Sequence, residues 1–153
     1  MDIRKSKMWI LLLLVAVLLM LIYGMKSSCG ENLKWNLKDG TLTITGSGRM
    51  NDYKGIPGDR GADGNRRMLC VDTPWEDHKI SRIVVEDGVT SIGNYAFAFC
   101  PCLREIILPD TVTSIGDSVF DGSESLEMIY VAEGSYAEAY CISNELPYAH
   151  LTV

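Results

Sequence analysis

Apolar residues recur at a fixed interval in the second half of the chain. Ile80, Ile83 and Val85 are followed by Leu103, Ile106 and Leu108, then by Leu126, Ile129 and Val131, with each triplet 23 residues after the one before. Between them a second set, Val89, Ile92 and Phe97, returns as Val112, Ile115 and Phe120. Nine of the 23 positions in residues 83–105 are identical in residues 106–128. A period of this length means that one unit cannot bury its own apolar side, so copies stack and share an elongated core. Each Leu-x-x-Leu-x-Leu segment is predicted as a strand with its aliphatics inward. Gly93 and Gly116 are expected to permit the tight corner between the two inward sets.

The flanks read as closing elements. In residues 29–50, Leu33, Trp35 and Leu37 alternate with polar residues, Lys38-Asp-Gly40 marks a turn, and Leu42 and Ile44 alternate again. This pattern predicts a β-hairpin that caps the stack. Residues 51–73 carry Gly55, Gly58, Gly61 and Gly64 at every third position, too few triplets for a collagen helix. They are expected to form a surface loop inserted before the repeats of residues 74–131. In residues 132–153, Ser135 is a predicted helix N-cap with Glu138 completing a capping box, and residues 148–153 are a candidate last strand. This segment is the expected C-terminal cap.

Residues 1–26 stand apart, because an uncharged run over residues 8–25 follows Arg4, Lys5 and Lys7 and ends before Lys26. The charge order places the N-terminus inside the cell and the rest outside. The run is read as an uncleaved single-pass membrane anchor, with a cleaved signal or a lipidated Cys29 as alternatives.

Charge narrows the partners. The chain has 14 basic and 20 acidic residues, and residues 27–153 alone carry a net −9. A domain so acidic repels nucleic acid and anionic lipid. Five cysteines, Cys29, Cys70, Cys100, Cys102 and Cys141, all fall in the exported part, so at least one thiol is free or joined to another chain. Cys29 with Cys70 is the one pairing suggested. Cys100 shares its repeat position with Ser123 and is read as a small buried core residue.

Little in the chain points to chemistry. His78 and His150 are the two histidines, and neither sits in a nucleophile motif. Cys100-Pro-Cys102 has one intervening residue rather than the two to four of zinc knuckles, and a calcium loop at Asp59 fails where Gly61 and Cys70 stand at ligand positions. No catalytic residue, metal ligand or cofactor is expected.

Asp87-Gly-Val-Thr-Ser-Ile-Gly93 through Phe97 and Cys100, the sequence Pro109 to Gly116, the opening Cys29-Gly-Glu-Asn-Leu33, Pro74-Trp75 and the closing Gly134-Ser-Tyr-Ala-Glu-Ala-Tyr140 together resemble BspA-like leucine-rich repeat surface proteins. The resemblance implies a leucine-rich repeat solenoid of the α/β class, mainly β, here with two full 23-residue repeats and a partial third. It also implies display outside the cell and adhesion-type recognition of proteins or other cells, without catalysis.

The outward x positions are the candidate contact surface. Arg82, Arg104 and Glu127 are expected in one column, and Val84, Ile107 and Tyr130 in another. Arg82, Val84, Arg104, Ile107 and Tyr130 are thus the candidate residues for binding a protein or glycan at the cell surface. The alternative is a structural module that self-associates as a homo-oligomer at the envelope, and the alternative location is secreted.

Overall fold

The computed structural model describes residues 13–15, 27–60 and 66–151. The expected membrane segment lies outside the described residues except for residues 13–15, a helical stretch with exposed side chains. Among the described residues no helix is long and apolar enough to cross a membrane.

Among the described residues from 27 onward, eleven strands and one helix follow in order. They are β1 (Leu33–Lys38), β2 (Thr41–Gly46), β3 (Gly48–Arg49), β4 (Gly55–Arg60), β5 (Arg66–Val71), β6 (Arg82–Val85), β7 (Val89–Ile92), β8 (Glu105–Ile107), β9 (Ser114–Ile115), β10 (Met128–Val131), α1 (Tyr136–Ser143) and β11 (Tyr148–His150). The main sheet has six strands in the order β1-β2-β6-β8-β10-β11, and a second sheet has three, β3-β7-β9. From β2 to β11 the main sheet is parallel, and only β1 runs antiparallel to its neighbour. A parallel sheet of successive strands results when each coil returns the chain in the same direction one layer further on.

The 23-residue period becomes a ladder of side chains. Leu42, Ile83, Ile106 and Ile129 lie in register, as do Ile44 and Val85, and all of these are between 0 and 2% exposed. A second ladder is aromatic, with ring centroids 6.1 Å apart from Trp75 to Phe97, 6.3 Å from Phe97 to Phe120 and 6.4 Å from Phe120 to Tyr140. One aromatic ring per layer fills the side of the core away from the main sheet. Trp75 stands where the period alone offers no phenylalanine, and its indole Nε1 donates to the Ala96 carbonyl at 3.1 Å.

The N-terminal hairpin does more than cap. Its second strand, β2, pairs with β6 from Thr41↔Arg82 to Ile44↔Val85, so it forms a layer of the solenoid. β1, with residues 27–30 laid against it, closes that end. The chain then continues the same coil through Met50 and Tyr53, whose backbone N–H groups donate to Ser91 and Asn94 carbonyls.

The segment expected as an irregular loop in residues 51–73 is largely a hairpin. β4 and β5 pair antiparallel from Gly55↔Val71 to Arg60↔Arg66, with shifts of register between. Lys54 and Asp72 close its base, where the Lys54 N–H donates to the Asp72 carboxylate at 2.6 Å. A glycine every third residue carries no strand signal, because the alternation that marks a half-buried strand is absent.

Gly93 and Gly116 differ from expectation in their reason. Neither has a positive φ. A Cβ on Gly116 would stand 2.7 Å from the backbone nitrogen of Asn94 in the preceding coil, and one on Gly93 would strike the Asn51 carbonyl. Glycine is there because neighbouring coils approach backbone to backbone.

At the other end, Ser135 caps α1 as expected by accepting from the Glu138 N–H at 3.2 Å. The Glu138 carboxylate reaches back to the Gly134 N–H at 2.6 Å, one residue before the N-cap. α1 buries Ala137 and Cys141 over the end of the core.

Candidate functional site

The outer face of the main sheet is built from residues that alternate with the buried ladder. Val84 is in register with Ile107, and Ile107 with Tyr130, so these three form the expected column. Register extends it through Thr43 on β2 and Ala149 on β11. At the usual separation of paired strands, five such positions span about 19 Å. All five are partly exposed. Thr43 and Ala149 were not legible from the repeat, because neither lies within the 23-residue alignment.

The charged column differs from expectation. Arg82 stands opposite Glu105, and Glu105 opposite Met128, whereas Arg104 lies in the row between Ser81 and Glu127. Arg82, Arg104 and Glu127 therefore do not form one column. The Leu-x-x-Leu segment holds two successive x positions, and a one-residue slip along a strand moves a side chain out of its column. Each arginine instead meets a carboxylate one layer on: Arg82 and Glu105 are 3.8 Å apart, and Arg104 and Glu127 2.7 Å. Their side chains are well exposed, so each pair adds roughly 0–1 kcal/mol. These pairs form a polar margin beside the apolar column.

A depression of about 370 Å³ opens at the C-terminal ends of the strands between Ile107, Pro109, Val85 and Leu151, with Glu86 and Asp87 at its edge. Ile107 thus belongs both to the column and to this hollow. Its flanking carboxylates make the lower margin acidic.

Comparison with known proteins decides what kind of molecule carries this face. Residues 73–148 match the family described as BspA type leucine rich repeat region (6 copies). Residues 73–148 belong to the BspA-type leucine-rich repeats. A crystal structure of a leucine-rich repeat protein from Eubacterium ventriosum is similar with a TM-score of 0.53 and 30% sequence identity, covering 69% of this chain and 25% of that one. This chain therefore spans a quarter of the length of that protein. Nothing among curated proteins matches it. Leucine-rich repeats generally serve as protein-interaction folds rather than as catalysts.

Within the BspA-type domain, the groups able to do chemistry sit away from the column. A hollow of about 310 Å³ is floored by Val71, Trp75, Ile80 and Ala98 and rimmed by His78 and Cys102. Cys100 is half-buried rather than fully buried, since its position lies at the coil's outer turn, and burial pushes its thiol up to about 11. Burial likewise raises Cys29 to about 12 and Cys141 to about 11. Thiols held protonated in this way are poor nucleophiles and poor metal ligands. Cys102 is exposed. Cys29 is a free thiol, so the suggested pairing with Cys70 is not formed. Among the described residues no group of three His, Cys, Asp or Glu side chains converges on a metal position.

His150 contacts Glu138 at 2.6 Å. The hydrogen bond raises the His150 pKa and lowers that of Glu138. The contact ties β11 to α1, and the Cys141 thiol nearby is buried and held protonated, so it reads as a fastening of the C-terminal cap.

Proposed function

We propose that this chain is an extracytoplasmic, membrane-tethered recognition module that binds a protein, or a glycan on one, through the outer face of its main sheet. Val84, Ile107 and Tyr130 supply the apolar contact, and Arg82 and Arg104 supply polar contacts at its margin. The observation that carries this reading is the in-register column from Thr43 to Ala149, whose middle is the apolar run Val84, Ile107 and Tyr130, on a fold that generally binds proteins. Tyrosine and arginine beside buried apolar contacts are the residue types that dominate binding energy at interfaces. The role is non-catalytic and of the adhesion type. Residues 1–26 would hold the module at the membrane with the repeats outside.

The test is a binding screen of the full chain against immobilised matrix proteins and glycans. Ile107→Ser combined with Tyr130→Ser is expected to abolish the binding found while leaving thermal unfolding cooperative. Retained binding in the folded double variant would sink the assignment of this face. Resistance of the chain to alkaline extraction from membranes, with the repeats open to added protease, is the expected result for the tether.

A second reading rests on the exposed Cys102 thiol, which is placed to link two copies into an envelope assembly. A reductant-sensitive dimer on sizing would favour it, and a monomer with and without reductant would remove it.

A further inference from the structure

The two ends of the main sheet are closed differently. At the N-terminal end the outer edge of β1 is already covered: the Trp35 N–H donates to the Ser27 carbonyl at 2.7 Å, the Cys29 N–H donates to the Leu33 carbonyl at 3.2 Å, and Ser28 pairs with Lys34. At the C-terminal end β11 turns the backbone of Pro147, Ala149 and Leu151 toward β10. The Ile129 N–H donates to the Pro147 carbonyl at 3.0 Å, and the Leu151 N–H donates to the Val131 carbonyl at 2.9 Å. Strand alternation then directs the N–H and C=O groups of Tyr148 and His150 outward, and no described residue meets them. Such an edge is a template for another strand.

The side chains around this edge match an incoming strand. From residue 27 onward, the large apolar side chains exposed among the described residues are Tyr136, Ile142, Tyr148 and Leu151, all on α1, β11 or directly after it. Charge is just as uneven. Residues 105–153 hold nine carboxylates and no lysine or arginine, whereas residues 27–104 hold ten of each sign. The whole net −9 of residues 27–153 therefore belongs to the C-terminal part, with Glu133, Glu138 and Glu145 closest to β11 in sequence.

These facts choose the occupant. Two copies meeting through β11 would bring two such acidic ends together, and repulsion opposes that contact. The β1 edge of a second copy is covered over residues 33–35, which leaves only its last residues for pairing. We propose that β11 is a docking edge for an extended, cationic segment of another protein, which adds a strand beside Tyr148–His150 and sets its lysines or arginines against the C-terminal carboxylates. Main-chain hydrogen bonds hold such a segment and alternate side chains select it. This edge adjoins the outer face assigned to recognition above at Ala149 but engages backbone groups of Tyr148 and His150 rather than the apolar column, so the two are tested apart.

The experiment measures polarisation of a labelled Lys-Val-Lys-Val-Lys-Val-Lys peptide against the full chain, beside its glutamate counterpart and its fully N-methylated form. The lysine peptide is expected to saturate, and the other two to fail. Tyr148→Pro removes an outward N–H without touching the pairing to β10 and is expected to weaken binding about tenfold, the loss that follows from one or two backbone hydrogen bonds. Glu145→Lys with Glu133→Lys is expected to weaken it further and to flatten its salt dependence. Equal binding of the N-methylated peptide would overturn the proposal, since it shows attraction to charge without strand pairing. So would equal binding of the glutamate peptide, no binding of the lysine peptide, or a folded Tyr148→Pro variant with unchanged affinity. The N-methylated arm decides the matter on the unaltered protein if the proline variant does not fold.

Discussion

Ser123 joins two coils through one hydroxyl, which donates to the Phe97 carbonyl at 2.8 Å and accepts from the Cys100 N–H at 3.1 Å. Ser123→Ala strands both groups in a nearly closed site and is expected to cost about 1–3 kcal/mol in chemical denaturation. The repeat aligned Ser123 with Cys100 but not the bond between them, because a period equates positions and says nothing of which neighbour each one touches. Gly116→Ala is expected to cost a similar ~1–3 kcal/mol, since the added methyl meets the backbone of Asn94 together with its Oδ1, which accepts from the Asp117 N–H at 2.8 Å and is held in place by it. Among Cys29, Cys100, Cys102 and Cys141, Cys102 is expected to react first with a disulfide reagent, with the buried, pKa-raised Cys29 and Cys141 lagging until the chain unfolds. The Glu138–His150 contact also has a pH signature. The Glu138 pKa is depressed, so its contribution is present above the ordinary 4.5 and is lost as pH falls through the folded value. The His150 pKa is raised, so its contribution is complete below the ordinary 6.5 and is lost as pH rises through the folded value. Thermal stability relative to His150→Gln is therefore expected to be greatest between these two ordinary values, and a His150 NMR titration above 6.5 checks the direction.

At the scale of elements, the repeat strands were read correctly wherever alternation and period agreed. β6, β8 and β10 each bring an aliphatic into the ladder, and Ile106→Ala in the middle of it removes a fully buried side chain with neighbours on both sides. A loss of about 2–5 kcal/mol is expected. The β4–β5 hairpin was missed because its glycines hide the strand pattern. It leaves the solenoid at Lys54 and returns at Asp72, so it interrupts one coil without supplying a rung of the ladder. Replacing residues 56–70 by an Asn-Gly turn is expected to leave the unfolding transition cooperative, because Gly55 and Val71 are already paired. The same insertion hides β2 from the repeat period, so the sequence marks it only as part of a cap. It lies 41 residues before its equivalent in β6 rather than 23, which conceals it from any search at the repeat period.

Over the whole molecule the core is one continuous stack, and both of its ends need covers. Deleting residues 132–153 would bare Ile129 and Val131, each 0% exposed, together with the face of Phe120 against Tyr140. The truncated chain is expected to aggregate or unfold without cooperativity, as light scattering and calorimetry would show, because a terminal repeat without its cap exposes core. The amino-acid sequence by itself determined the solenoid, its inward ladder and the apolar column of Val84, Ile107 and Tyr130, because identical spacing forces identical positions to stack. Only the tertiary structure decided that β2 is a layer of the sheet, that Arg82 and Arg104 each pair with a carboxylate in the next layer, and that one edge of the sheet is covered while no described residue meets the other. Those outcomes depend on which residues become neighbours across coils, and a pairing between strands 41 residues apart, or between Ser27 and Trp35, leaves no periodic mark on the chain.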